Sequence, residues 1–189
     1  MSNAISASAS AKSSKHLWVA FAIMTAILAI APMWVYPVFL MKVMCFALFA
    51  SAFNLLLGFG GLLSFGHAMF MGTAGYVAAY SAKSWGLNPE WCVLLGTAAS
   101  TVLALVVGLL AIRRQGIYFA MITLALAQMV FFFCLQAPFT GGEDGIQAVP
   151  RGRLFGLVNL EDNFNMYLFV LAIFLMGFLL IWRVIHSPF

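Results

Sequence analysis

Long apolar runs separated by short polar breaks dominate the chain from residue 17 onward. A membrane-spanning helix needs about 20 mostly apolar residues, because the bilayer core is about 30 Å thick and an α-helix rises about 1.5 Å per residue. By that ruler residues 17–36, 91–112, 116–137 and 164–182 are spans free of Lys, Arg, Asp and Glu. Between Lys42 and Lys83 the only residue that can become positively charged near neutral pH is His67. As one helix that stretch would run about 60 Å, twice the core, so it must turn back once. Gly58, Gly60 and Gly61 mark the turn, since glycine tolerates the backbone angles a tight turn demands. Spans at 38–57 and 61–82 follow, and the expectation is an all-α polytopic transmembrane bundle of about six spans.

Charge then orients the bundle. Short loops rich in Lys and Arg stay in the cytoplasm. With Lys12 and Lys15 inside, alternation also puts Arg113, Arg114 and Arg183 inside and all five acids outside, so both termini are expected to be cytoplasmic. Lys42 and Lys83 then lie near the outer surface, which long side chains can reach by snorkelling. Residues 1–16, rich in Ser and Ala, read as a flexible cytoplasmic tail, and 17–189 as one membrane domain. Ala29-Ile30-Ala31 resembles a signal-cleavage site, but the apolar run is span-length and Pro32 follows directly, which disfavours cleavage.

Composition agrees with the pattern: 65% of residues are hydrophobic and 7% charged, and the mean hydropathy is +1.06. That lies far from soluble domains and fits a multi-pass protein of the lipid bilayer. The net charge of +4 forms no basic patch and comes with no nucleic-acid-binding motif. Cys45, Cys92 and Cys134 sit in apolar runs without metal-ligand spacing and read as packing residues.

The polar residues within spans are the candidates for function. In GGLLSFGHAMFMGTAGYVAAY, Ser64, Ala68 and Gly72 recur every four residues, and Gly75 and Ala79 repeat the spacing. Small residues at that spacing let a neighbouring helix approach closely, whether or not a path runs alongside. On a helix beginning at Gly61, His67 lies about 9 Å in. Intramembrane ionisable groups usually face a cavity or a partner, although a neutral histidine bonded to a neighbouring helix's carbonyl satisfies the chemistry equally. Asn54, Thr123 and Gln128 either line a path for a zwitterion or join helices.

Residues 138–163, by parity outside, form the one long connection, with four acids and two arginines. Such a loop is more often functional than idle, and mixed charge suits docking of a soluble partner. The acids of Gly141-Gly142-Glu143-Asp144-Gly145 stand too close together for a twelve-residue calcium loop, so turn chemistry is the simpler reading. No nucleophile constellation, metal cluster, cofactor motif or Walker sequence is present, which points away from catalysis and places any ATP hydrolysis in separate subunits.

Residues 54–80, NLLLGFGGLLSFGHAMFMGTAGYVAAY, closely resemble the signature of the permeases of branched-chain amino acid ABC importers. RRQGIYFAMITLALAQM at 113–129 resembles that family's next block and TGGEDGIQAVP at 140–150 its external loop, in the family's order. The resemblance implies an inner-membrane permease paired with a second permease subunit, driven by two cytoplasmic ATPase subunits and fed by an extracytoplasmic solute-binding protein. It places Gly61, Ser64, Gly66 and His67 in the glycine-rich motif, and Gly116, Tyr118, Thr123 and Gln128 in the second block. It also makes the chain's end at His186-Ser187-Pro188-Phe189 look like a truncation before a coupling loop and further spans. Leu62 stands where the family commonly has glutamine, which opens urea, short amides or aromatic acids as alternative solutes. An ion-coupled secondary transporter is the rival class, disfavoured because no Asp or Glu falls within an expected span.

Overall fold

The computed structural model describes residues 19, 21–113, 116–154, 156 and 158–185. The expected tail 1–16 and the final Ser187-Pro188 lie outside the described residues. An apolar helix α1 covers Phe21–Met33. It is followed by α2 (Pro37–Gly60), α3 (His67–Ser84), α4 (Pro89–Ala111), α5 (Ile117–Gln136) and α6 (Asn163–Ile185). Prolines at the first turns of α2 and α4 suit positions whose N–H groups have no intrahelical partner. Four helices, α2, α4, α5 and α6, are long and apolar enough to cross a membrane; α1 is shorter among the described residues, and α3 has 18 residues. The protein is thus an all-helical polytopic membrane protein, with one short β-hairpin in its long loop, β1 (Arg153–Leu154) against β2 (Val158–Asn159).

Two helix pairs carry the packing. In the first, Met41 and Met44 of α2 meet Tyr167, Leu171 and Phe174 of α6. Further along, Gly177 lies where an added Cβ would touch Leu48. The rising numbers on both sides show that α2 and α6 run parallel. Tyr167, fully buried, donates its hydroxyl to the Leu28 carbonyl at 2.5 Å and ties α1 to this pair. In the second, α3 and α4 form a hairpin around Gly96. A Cβ there would stand 2.6 Å from the Ala74 carbonyl oxygen and 3.3 Å from the Ala78 Cβ. Ser100, one turn on, donates to the Phe70 carbonyl at 3.0 Å.

That hairpin corrects the expected packing face. The Ser64/Ala68/Gly72 stripe is not where a helix approaches closely: a Cβ on Gly72 or Gly75 meets nothing within 4 Å. The residues α3 uses are Ala74 and Ala78, and the small residue opposite them is Gly96. Helix boundaries shift as well. Gly58 and Gly60 stay helical, and the break comes at Gly61, whose left-handed φ of 60° ends α2. Residues 61–66 are not helical and α3 begins only at His67, so the span expected over 61–82 is shorter than the sequence implied. Glu90, expected to precede its span, falls in the first turn of α4, where the helix dipole favours an anion.

Few residues of each apolar span are fully buried within the chain, and many large apolar side chains on α2, α4, α5 and α6 are exposed, leaving them for lipid or other subunits. Trp34, Tyr36, Trp85 and Trp91 are all exposed at connections on the end of the bundle that carries the long loop, the level at which aromatic residues line a membrane interface.

Candidate functional site

The segment Gly61–Gly66 is where the backbone departs from helix at membrane depth. His67 begins α3, yet its ring packs edge-on against Phe49 and Phe53 of α2, with centroids 6.3 and 5.3 Å away. Phe53 precedes the end of α2 by seven residues, about 10 Å of helix. After Gly61 the chain therefore folds back into the bundle before α3 starts. Irregular backbone at that depth persists only where protein or a cavity covers its polar groups.

Those groups are covered by α5 and by the segment itself. The Phe65 N–H donates to Thr123 Oγ1 at 3.3 Å, and Thr123 Oγ1 donates to the Ala120 carbonyl at 3.0 Å. The Gly66 N–H donates to Ser64 Oγ at 3.2 Å. Gly66 lies in a tight place, since a Cβ there would stand 3.0 Å from Met69 Cε and 3.2 Å from the Thr123 carbonyl oxygen. Ser64 and Thr123 are 4 and 2% exposed, so both hydroxyls are committed to this junction. Two sequence blocks 58 residues apart thus meet at one point.

The sequence candidates divide accordingly. Gly61, Ser64, Gly66 and Thr123 come together at the junction. His67 sets its ring in the cage of Phe49, Phe53 and Phe70. Its buried Nδ1 has no hydrogen-bond partner among the described residues, and the backbone its ring interacts with is that of Ser64 in the unwound segment. Gln128 lines a groove of about 260 Å³ between α3 and α5, with Ala68, Gly72, Thr73 and Tyr76 opposite. Asn54 lies apart, exposed in a shallow apolar recess between α2 and α6. Among the described residues no cluster of three or more metal-ligating side chains occurs.

The long loop closes over the ends of α3, α4 and α5. Short 3-10 turns at Pro138–Thr140 and Gly142–Asp144 flank Gly141, whose φ of 81° and lack of room beside the Gly145 carbonyl require glycine. Thr140 anchors the first turn by donating to the Ala137 carbonyl at 2.6 Å. Lys83 at the end of α3 donates to the Gln147 carbonyl at 3.0 Å. Arg151 donates to Asn163 Oδ1 at 2.7 Å, at the start of α6. Glu143 and Asp144 remain exposed on the rim. Sequence reasoning missed Gly96 and Ser100 of the α3–α4 seam, although Cys92, Gly96 and Ser100 repeat every four residues and could have signalled it.

Fold and site together define a multi-pass helical membrane protein whose backbone is broken between α2 and α3, an arrangement common among transport proteins. The family model described as branched-chain amino acid transport system / permease component matches residues 36–189, and the chain belongs to that family. It is similar to two curated relatives, both high-affinity branched-chain amino acid transport system permease proteins LivM. That of Salmonella typhimurium is 30% identical over 115 residues, and that of Escherichia coli K12 is 28% identical over 115 residues. Each alignment covers 60% of this chain and 27% of the relative's length. No solved structure matches the chain significantly.

Proposed function

We propose that the chain forms part of the permease of an ATP-driven importer that carries leucine, isoleucine, valine or similar small solutes inward across a bacterial inner membrane. The observation that carries the reading is the broken backbone at Gly61–Gly66, seated on Thr123 and lying within the residues that the family model matches. Transporters commonly hold solute where helices are discontinuous, because unwound backbone supplies polar groups without charged side chains. The working cycle is alternating access: closure of two cytoplasmic ATPase subunits rocks this bundle against a second permease subunit, passing solute delivered by an extracytoplasmic binding protein.

Both termini are assigned to the cytoplasm and residues 138–163 to the outside. In support, Arg113 and Arg183 stand at the end of the bundle opposite the long loop and the exposed tryptophans. Glu143 and Asp144, on the loop rim between Gly141, Gly142 and Gly145, are the groups we assign to docking the binding protein. Leu62, in the unwound segment, favours a second reading within the same family, with urea, a short amide or an aromatic acid as solute. Ion coupling is disfavoured, since the one acid within the described helices, Glu90, sits in a first turn.

The test is uptake by cells lacking the gene, with and without its restoration, across radiolabelled leucine, valine, urea and phenylacetate. Restored leucine and valine uptake is expected. Restored uptake of urea or phenylacetate alone moves the substrate to the second reading.

A further inference from the structure

Two cavities meet at Tyr76. The α3–α5 groove of about 260 Å³ is walled by Phe65, Gly72, Thr73, Gln128 and Cys134, with Tyr76 at one end. A second cavity of about 380 Å³ lies under the long loop, walled by Tyr80, Trp85, Phe139, Thr140 and Ile146, and Tyr76 belongs to it as well. The α3 residues lining the two are 68, 69, 72, 73, 76, 77 and 80, one continuous helical face, with Phe65 of the unwound segment just before it. From Ala68 to Tyr80 that face rises about 18 Å, more than half of the bilayer core. At its inner end stands Phe65, the residue bonded to Thr123.

We propose that this face of α3 is the solute route, that the chamber under the loop is its outer vestibule, and that Tyr76 is the residue that selects solutes by size between the two. The assignment rests on the permease reading above and adds to it a place and a selecting residue. Both volumes suit small molecules rather than peptides. The vestibule offers aromatic walls in edge contact, Tyr80 with Trp85 at 6.0 Å and Tyr80 with Phe139 at 6.2 Å, suited to the apolar side chain of an amino acid. Tyr76 and Gln128 bring a hydroxyl and an amide to the groove wall, where they can meet the ammonium and carboxylate groups of a passing zwitterion. At Gly72 the groove is open, since nothing lies within 4 Å of where a Cβ would be.

Cys134, on the groove wall, is a native reporter. The intact transporter with its partner subunits, carrying Cys45→Ser and Cys92→Ala, is reconstituted in proteoliposomes and exposed to a membrane-impermeant methanethiosulfonate from the loop side. Variants Tyr76→Phe, Tyr76→Ala and Tyr76→Trp are compared for the rate of Cys134 labelling and for uptake of alanine, leucine and phenylalanine. Tyr76→Trp is expected to slow both labelling and leucine uptake by about tenfold while sparing alanine. Tyr76→Ala is expected to speed labelling and raise the phenylalanine-to-leucine ratio about tenfold, and Tyr76→Phe, which keeps the ring but loses the hydroxyl, to keep the labelling rate and the solute ratios while lowering uptake of all three amino acids. Equal labelling rates and unchanged solute ratios across all variants would overturn the proposal. A wild-type transporter that takes up no amino acid, while its Cys134 labelling still follows the size of residue 76, would overturn the amino-acid reading and leave the route standing.

Discussion

Gly72→Ala and Gly96→Ala make the same chemical change on two helices and should have opposite consequences. Alanine is favoured over glycine in a helix by up to about 1 kcal/mol, and that gain is common to both. At Gly72 the new methyl meets nothing within 4 Å, so only the gain remains. At Gly96 it would stand 2.6 Å from the Ala74 carbonyl oxygen, 0.8 Å short of the 3.4 Å at which ordinary contact begins. A backbone oxygen cannot swing aside, so α4 must back away from α3, straining the Ser100 bond to Phe70. Overpacking of this kind costs about 1–3 kcal/mol, and with the propensity gain cancelled that is the expected gap between the two variants. For a chain of this length the gap corresponds to roughly 2–12 °C in melting temperature. Cys92, 4% exposed and one turn from Gly96, supplies the readout: a thiol-reactive dye reports its exposure on heating in detergent, with Cys45 and Cys134 replaced by serine. A Gly96→Ala protein that melts at or above Gly72→Ala would refute the account of the α3–α4 seam.

Thr123→Val removes the acceptor for the Phe65 N–H and should cost about 1–3 kcal/mol in detergent melts, with Thr123→Ser restoring most of it. Tyr167→Phe deletes the bond to the Leu28 carbonyl and should cost about 0.6 kcal/mol in detergent melts, the average for hydrogen bonds between membrane helices. His67→Phe, filling the same aromatic cage, should keep expression and melting close to wild type, whereas His67→Asp should lower both sharply by placing a carboxylate among Phe49, Phe53 and Phe70. Single cysteines at Glu143 and at Arg113 should label with an impermeant reagent from opposite sides of sealed vesicles; labelling from the same side would contradict the assigned topology.

The helices of this protein were legible because hydropathy over about 20 residues reports burial in lipid directly. The α2–α3 connection was legible only as a turn. Leu62, Leu63 and Phe65 are as apolar as any span, so hydropathy cannot tell a helix from an unwound strand folded back into the bundle. What decides it is Thr123, 58 residues downstream, which takes the Phe65 N–H. The small-residue stripe misled for a related reason. Spacing marks a face on which approach is allowed, but Gly96 of α4 selects Ala74 and Ala78, leaving Gly72 to face a groove. His67 was identified as costly in a membrane, but its aromatic cage draws on α2 residues that no local pattern ties to it.

The most direct test of the permease account is leucine uptake into proteoliposomes holding the intact transporter and its partner subunits, with ATP supplied or withheld and with ion gradients present or collapsed. The account predicts uptake that requires ATP and the binding protein and survives an uncoupler. Uptake that proceeds without ATP and collapses with the gradient would contradict it.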